Sequence, residues 1–194
     1  YRPIRDALES VAGTRPNDRF SEQLKTIPEA GPIDYAHNDQ RFVRPDSWET
    51  LWTALDEGPV RFVNGATDLG LDVTQRHTRF PVLIDLGALP EMRRIESIDE
   101  AWRIGAGVLL SDLESWSQKT FPALAKMLRF FASRQIKNRA TVGGNLCNAS
   151  PIGDLPPVML AMDAVAIIRS RQGERRVPFG GEGLEGFWTA YRVT

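Results

Sequence analysis

A single cysteine, Cys147, is all the thiol chemistry the chain possesses. One thiol excludes an internal disulfide, a cysteine-ligated zinc site and a complete iron–sulfur site within these residues. Histidine is nearly as scarce. His37 and His77 are the only two, both in polar surroundings, and they support neither a metal site nor a Ser-His-Asp triad. Both read as surface residues. Long apolar runs are missing too: the longest, Val158 to Met162 and Ala164 to Ile168, span about five residues, against the ~20 of a membrane-spanning helix. Charge is balanced, with 24 Lys and Arg against 25 Asp and Glu and a net charge of -1, so no global attraction to nucleic acid or an anionic membrane is expected. What remains is 194 residues, 42% hydrophobic and 25% charged, enough for one good core or two small ones. The chain opens Tyr1-Arg2-Pro3-Ile4-Arg5, without an initiating Met or the apolar segment of a signal peptide. The expectation is a fragment of a larger cytoplasmic protein.

Pro3 in a first turn and Gly13 as a stop predict a short helix over Ile4 to Ala12. Thr14 to Gln40 is polar and broken by Pro16, Pro28, Gly31 and Pro32, which reads as a connector. Ser47 is a good N-cap for a helix carrying Trp48, Leu51, Trp52 and Leu55 on one face and closed by Gly58. Strands follow at Val60 to Val63 and around Val82 to Ile84, separated by a small-residue turn from Asn64 to Gly70. This order predicts a small mixed or parallel sheet. Further on, Arg94 to Ser97 with Trp102 to Gly105 predicts a hairpin, and Ser111 to Ser117 and Ala123 to Ser133 predict two helices. Leu124, Met127, Leu128 and Phe131 line one face of the second. Asp154 is placed to cap a helix through Met162. Val165 to Arg169 and Arg175 to Pro178 form a second predicted hairpin around Gly173, whose Arg169, Arg171, Arg175 and Arg176 read as a solvated cluster. The fold class is α+β.

Two stretches have the composition of a ligand site. Val63-Asn64-Gly65-Ala66-Thr67-Asp68-Leu69-Gly70 leaves a strand as a run of small residues. Its backbone N–H groups could approach an anion closely, with the Thr67 hydroxyl as a further donor. The Asp68 carboxylate opposes a phosphate unless it turns away to cap an amide, and an ordinary turn has the same composition. In Ala140-Thr141-Val142-Gly143-Gly144-Asn145-Leu146-Cys147-Asn148-Ala149-Ser150-Pro151-Ile152-Gly153-Asp154, a glycine pair, two Asn, a Ser and an Asp converge. Asn both donates and accepts, which suits a heterocycle or ribose, although a tight loop satisfying its own backbone has the same make-up. Gly105-Ala106-Gly107 lacks the third glycine of a dinucleotide fingerprint and reads as a hairpin end.

The second stretch, continued through Leu155-Pro156-Pro157, closely resembles the second flavin motif in the FAD domain of the molybdenum hydroxylase family, in its xanthine dehydrogenase branch. Asn64-Gly65-Ala66-Thr67-Asp68-Leu69-Gly70 resembles the first motif, and Val82-Leu83-Ile84-Asp85-Leu86 and Ile104-Gly105-Ala106-Gly107-Val108 match the stretch between. Order and spacing agree from about Arg41 to Thr194. Tyr1-Arg2-Pro3-Ile4 resembles the segment that follows the family's iron–sulfur domain, and Phe187-Trp188-Thr189-Ala190-Tyr191-Arg192 the stretch just before the flavin subdomain ends.

The resemblance implies the extended-FAD (PCMH-type, vanillyl-alcohol-oxidase-like) fold with its C-terminal part truncated. Residues 1–40 would be a remnant helix and linker, 41–110 a first FAD subdomain with the pyrophosphate loop, and 111–194 an incomplete second one. It also implies that Val63, Asn64, Gly65, Ala66, Thr67, Asp68 and Leu69 hold the FAD pyrophosphate, and that Phe131, Ile136 and Ala140 line the cofactor. Thr141, Gly144, Asn145, Asn148, Ile152, Gly153 and Asp154 match further positions around the FAD, with Asn148 where relatives often have Thr. The flavin would pass electrons from iron–sulfur clusters to NAD, and the iron–sulfur and molybdopterin groups would sit on other domains or subunits. No general base and no metal ligand is assigned. Alternatives are the flavin subunit of a related aldehyde, carbon monoxide or aromatic-acyl thioester oxidoreductase, and a truncated interaction module without FAD. If the backbone of Gly143-Gly144 closely approaches the cofactor, Gly144→Val weakens FAD binding more than it lowers the melting temperature; equal loss of both would make the loop purely structural.

Overall fold

Alternating apolar residues in short strands and apolar stripes three or four apart in the helices generate most of the architecture. The computed structural model describes residues 2–10, 22–23, 25–26, 31–56 and 58–180. Residues 1–30 and 31–194 separate as two compact units. In the first, helix α1 (Arg2–Ser10) begins two residues before the expected start, and the expected stop at Gly13 lies outside the described residues. No helix among the described residues is long and apolar enough to cross a membrane.

The second unit begins with a four-stranded sheet built from β1 (Ile33–His37), β2 (Gln40–Arg44), β3 (Val60–Val63) and β4 (Val82–Asp85), in the order β1-β2-β4-β3. β2 and β3 run parallel to β4, whereas β1 is antiparallel to β2, so the expected mixed sheet forms. The expected connector up to Gln40 is corrected: its last part is a strand. β1 is exposed along its whole length, so no apolar alternation marks it. The backbone ladder to β2 holds it, together with a two-pronged bond in which the Arg41 guanidinium donates to both carboxylate oxygens of Asp34 at 2.7 and 2.6 Å. That guanidinium keeps the Asp34 carboxyl below the ordinary carboxylate range. Helix α2 (Trp48–Leu55) starts where expected, with Ser47 Oγ accepting from the Thr50 N–H at 3.2 Å. It lays Leu51 and Ala54 onto Val43, Val82, Ile84 and Leu89 to make the first core. Helix α3 (Leu69–Thr74) follows β3.

The second core gathers Val108, Leu110, Leu113, Leu124, Leu128, Ala140, Val142, Leu155, Met159 and Phe179. Around it lie hairpin β5 (Ile95–Ile98)/β6 (Ala101–Ile104), helices α4 (Leu110–Thr120), α5 (Pro122–Phe130), α6 (Arg134–Lys137), α7 (Val142–Cys147) and α8 (Leu155–Ala161), and hairpin β7 (Val165–Ser170)/β8 (Gly173–Pro178). Ile95 and Ile104 pack on this core while Met92 packs on the first. The change of core therefore precedes the boundary expected at residue 110. Three local expectations are also corrected. The helix expected to run to Ser133 stops at Phe130, because the Ser133 side chain accepts from the Ile136 N–H (3.3 Å) and opens α6 instead. The motif read as a loop contains α7. Asp154 stands before α8 with helical backbone angles and makes no side-chain cap bond.

The arginine cluster is not wholly solvated either. Arg171 reaches from the β7/β8 turn to α2, donating to the Trp52 carbonyl and, at 2.7 Å, to Asp56 Oδ2. Arg169 lies 4.2 Å above the Trp48 ring, itself stacked on Trp52 at 5.6 Å. The Trp52 carbonyl belongs to the last turn of α2, where no intrahelical donor remains and a cation is favoured. Arg171→Ala removes this tie between the two cores; because the groups are partly exposed, the expected loss is about 1 kcal/mol, a fall in melting temperature of about 2–4 °C by differential scanning fluorimetry.

Candidate cofactor site

β3 ends at Val63, and the chain then takes left-handed backbone angles at two successive residues, Gly65 (φ 85) and Ala66 (φ 62). Gly65 is required twice over. Its φ suits glycine, and a Cβ there would fall on the Arg139 carbonyl oxygen. The loop thus lies against Arg139–Ala140, distant in sequence. Thr141, only 2% exposed, fastens the contact: its hydroxyl donates to the Asn64 carbonyl at 3.3 Å and accepts from the Gly144 N–H at 3.1 Å, capping α7. The first and second sequence motifs are brought together here.

A backbone strip seats the second motif. The N–H of Leu110 donates to the Ala140 carbonyl (2.9 Å), that of Val142 to the Val108 carbonyl (3.0 Å) and that of Gly143 to the Ala106 carbonyl (2.7 Å). A Cβ on Gly143 would come within 2.7 Å of Ala106 Cβ, so the Gly105-Ala106-Gly107 stretch read as a mere hairpin end is the floor on which the motif rests. Lys137, also absent from the sequence expectations, is buried (5% exposed) directly before this strip. Sequence spacing gives no signal for it, since a lone lysine ordinarily reads as surface.

Hydrogen bonding divides the loop sharply. Gly70 and Leu71 donate to the carbonyls of Ala66 and Asp68, both at 2.9 Å. Among the described residues, no protein acceptor takes the backbone N–H groups of Gly65, Ala66, Thr67, Asp68 or Leu69, and the Asp68 side chain makes no cap bond. The condition under which Asp68 would not oppose a phosphate, a side chain turned away to cap an amide, is therefore not met. Successive N–H groups in a curved, partly left-handed backbone form an anion-binding concavity. In the second motif, directly after Gly144, Asn145 Oδ1 is buried without a partner. Leaving such an acceptor unpaired is unfavourable by about 1–3 kcal/mol, so the cradle offers a row of donors and one acceptor to a polar ligand.

The remaining expected residues are distributed unevenly. Ala140 is a core residue and Phe131 packs against that core from the end of α5. Ile136 is 41% and Ile152 87% exposed. Asn148 is exposed at the end of α7. Gly153 donates to the Ser150 carbonyl at 3.0 Å within its own turn, and Asp154 is exposed. Left-handed alanines occur at Ala66, Ala132 and Ala149, each beside an expected ligand residue. Strain of this kind concentrates at functional sites.

Comparison with known proteins identifies the family. The family described as "FAD binding domain in molybdopterin dehydrogenase" matches residues 37–191. The chain belongs to this family: it is an FAD-binding domain of the molybdenum hydroxylases. Xanthine dehydrogenase of Emericella nidulans is 31% identical over 178 residues, 86% of this chain and 13% of that protein; nicotinate hydroxylase of the same fungus is 31% identical over 171 residues, 79% and 12%. The chain thus spans about an eighth of the length of these relatives. Carbon monoxide dehydrogenase from Hydrogenophaga pseudoflava superimposes with a TM-score of 0.68 at 27% identity, covering 75% of this chain and 52% of that one. The expected α+β flavin-domain fold is therefore the fold observed.

Neighbouring substitutions separate the two roles of the loop. Gly65→Ala is expected to lower stability by about 3 kcal/mol, because its Cβ meets backbone and its φ is unfavourable. Ala66→Gly relieves strain and is expected to leave stability unchanged or raise it by up to about 1 kcal/mol. Urea unfolding midpoints of the two variants check both values.

Proposed function

We propose that the cradle between Asn64–Leu69 and Ala140–Asp154 holds FAD, and that the whole protein of which this chain is a domain is a xanthine dehydrogenase-like oxidoreductase. The observation that carries the reading is the row of backbone N–H groups from Gly65 to Leu69 without protein acceptors, in a loop bonded to the second motif, where Asn145 Oδ1 is buried without a partner. Backbone dipoles bind the cofactor's pyrophosphate, and Thr67 adds a hydroxyl donor. The Asp68 carboxylate is exposed, so water screens it and it opposes the anion weakly. Thr141 and Gly144 keep the two motifs in register. Asn145 and Asn148 offer amides to the nucleotide or the ring, while Phe131 and Ala140 give the cavity an apolar wall and Ile136 and Ile152 flank it.

Bound FAD supplies two-electron chemistry that converts to single-electron transfer, which suits a relay from iron–sulfur clusters, fed by a molybdopterin centre on other domains, to NAD. This chain contributes position and polarity, and the setting is cytoplasmic. Xanthine is the substrate class we favour for the assembled enzyme, on the strength of similarity to xanthine dehydrogenase. Similarity to nicotinate hydroxylase and carbon monoxide dehydrogenase supports the second reading, a flavin domain serving a different molybdenum hydroxylase.

Titration with FAD, followed by flavin fluorescence and melting temperature, tests the cradle. Saturation at one FAD per chain with a rise in melting temperature is expected, since a ligand selective for the native state stabilises it. Absence of both signals would refute the reading. Asn145→Ala should weaken binding by about tenfold, the loss of one hydrogen bond, while leaving the melting temperature of the FAD-free chain no lower, because an unpaired buried oxygen has been removed.

A further inference from the structure

The wall against which the Gly65 loop closes is held by a buried ammonium. Lys137 Nζ donates to Glu114 Oε2 on α4 at 2.7 Å and to the Leu128 carbonyl on α5 at 2.9 Å. The Lys137 and Glu114 side chains are 7% and 14% exposed. Arg134 reaches the same carboxylate oxygen from the surface at 3.4 Å. The Leu128 carbonyl lies in the last turn of α5, where a cation is favoured, and its one backbone donor is the Phe131 N–H at 3.3 Å, shared with the Met127 carbonyl. One ammonium therefore joins α4, α5 and α6. Two residues later comes the Arg139 carbonyl, on which any Cβ at Gly65 would fall, and then Thr141, bonded to the Asn64 carbonyl.

A lysine buried in this way is a poor route to stability, because desolvating both ions offsets most of their attraction, and well-packed apolar side chains often do as well. What an apolar pair cannot supply is direction. Hydrogen bonds to two acceptors on different helices fix the end of α6, and the residues that follow inherit that position.

We propose that Lys137 is a positioning residue for the flavin cradle: by tying α6 to Glu114 and the Leu128 carbonyl it sets the Arg139–Thr141 wall at the height that lets the Gly65 loop close around FAD. The inference rests on the FAD reading above and adds a residue that touches no ligand.

The test compares the parent 194-residue chain with Lys137→Met and with Lys137→Met/Glu114→Leu, measuring FAD affinity and FAD-free melting temperature. Lys137→Met leaves a buried carboxylate without its ammonium and is expected to lose both. The double variant removes both charges and is expected to regain melting temperature while binding FAD at least tenfold more weakly than the parent. Recovery of affinity together with melting temperature would overturn the proposal, since packing alone would then suffice. Should melting temperature not return, amide hydrogen exchange on Lys137→Met decides. Protection must fall at least tenfold further at residues 139–142 than in β4; equal loss in both places would reduce Lys137 to general stabilisation and end the proposal. A parent chain that binds no FAD would instead sink the FAD reading, with the exchange measurement still testing the role of Lys137.

Discussion

Everything distinctive about this domain depends on one backbone crossing, where the Gly65 loop of the first core meets the Arg139–Thr141 strip of the second. The approach is so close that a side chain at Gly65 has no room, and the Thr141 hydroxyl bridges it by bonding the Asn64 carbonyl on one side and the Gly144 N–H on the other. The N–H groups from Gly65 to Leu69 find no acceptor among the described residues, the condition under which a curved backbone can bind an anion.

Each core supplies a different kind of support. The first is a mixed sheet covered by α2, and it delivers the end of β3 at a fixed height. The second is largely helical and delivers the strip, which is zipped to Ala106–Leu110 by backbone hydrogen bonds. The two are joined again at the β7/β8 turn, where Arg171 caps α2 and Arg169 lies over Trp48. Polar contacts thus join the halves at two separate places, the Thr141–Asn64 bond and the β7/β8 turn. The strained alanines at 66, 132 and 149 fit the same division, since the cores hold backbone conformations that the local sequence alone would not choose.

Several features are legible in the sequence itself. Ser47 announced α2, because an N-cap hydroxyl before an apolar stripe acts locally. Gly173 marked the β7/β8 hairpin, and the two small-residue motifs drew attention to the cradle through composition and family resemblance. Other features were hidden for identifiable reasons. β1 carries no apolar alternation because it is exposed, and its pairing with β2 depends on the ladder and on the Arg41–Asp34 pair. Helix α7 was obscured by its glycine pair, which suggests a loop by propensity although Thr141 caps it and the Ala106 strip seats it. Asp68 and Asp154 have cap-like positions, yet neither side chain makes the bond.

Local chemistry therefore determined the start of α2 and the β7/β8 turn, since these follow from side chains within a few residues of one another, while the motifs were identified by family resemblance. Which distant groups meet was decided only by the tertiary structure. That Gly65 closes on Arg139 and that Arg171 caps a helix 119 residues away depend on how two cores dock, and that Lys137 is buried between Glu114 and Leu128 depends on how three helices pack within one of them. Hydrogen-bond partners far apart in sequence leave no periodic trace in either segment, so the pattern that reveals an element says nothing of the groups it will be made to face.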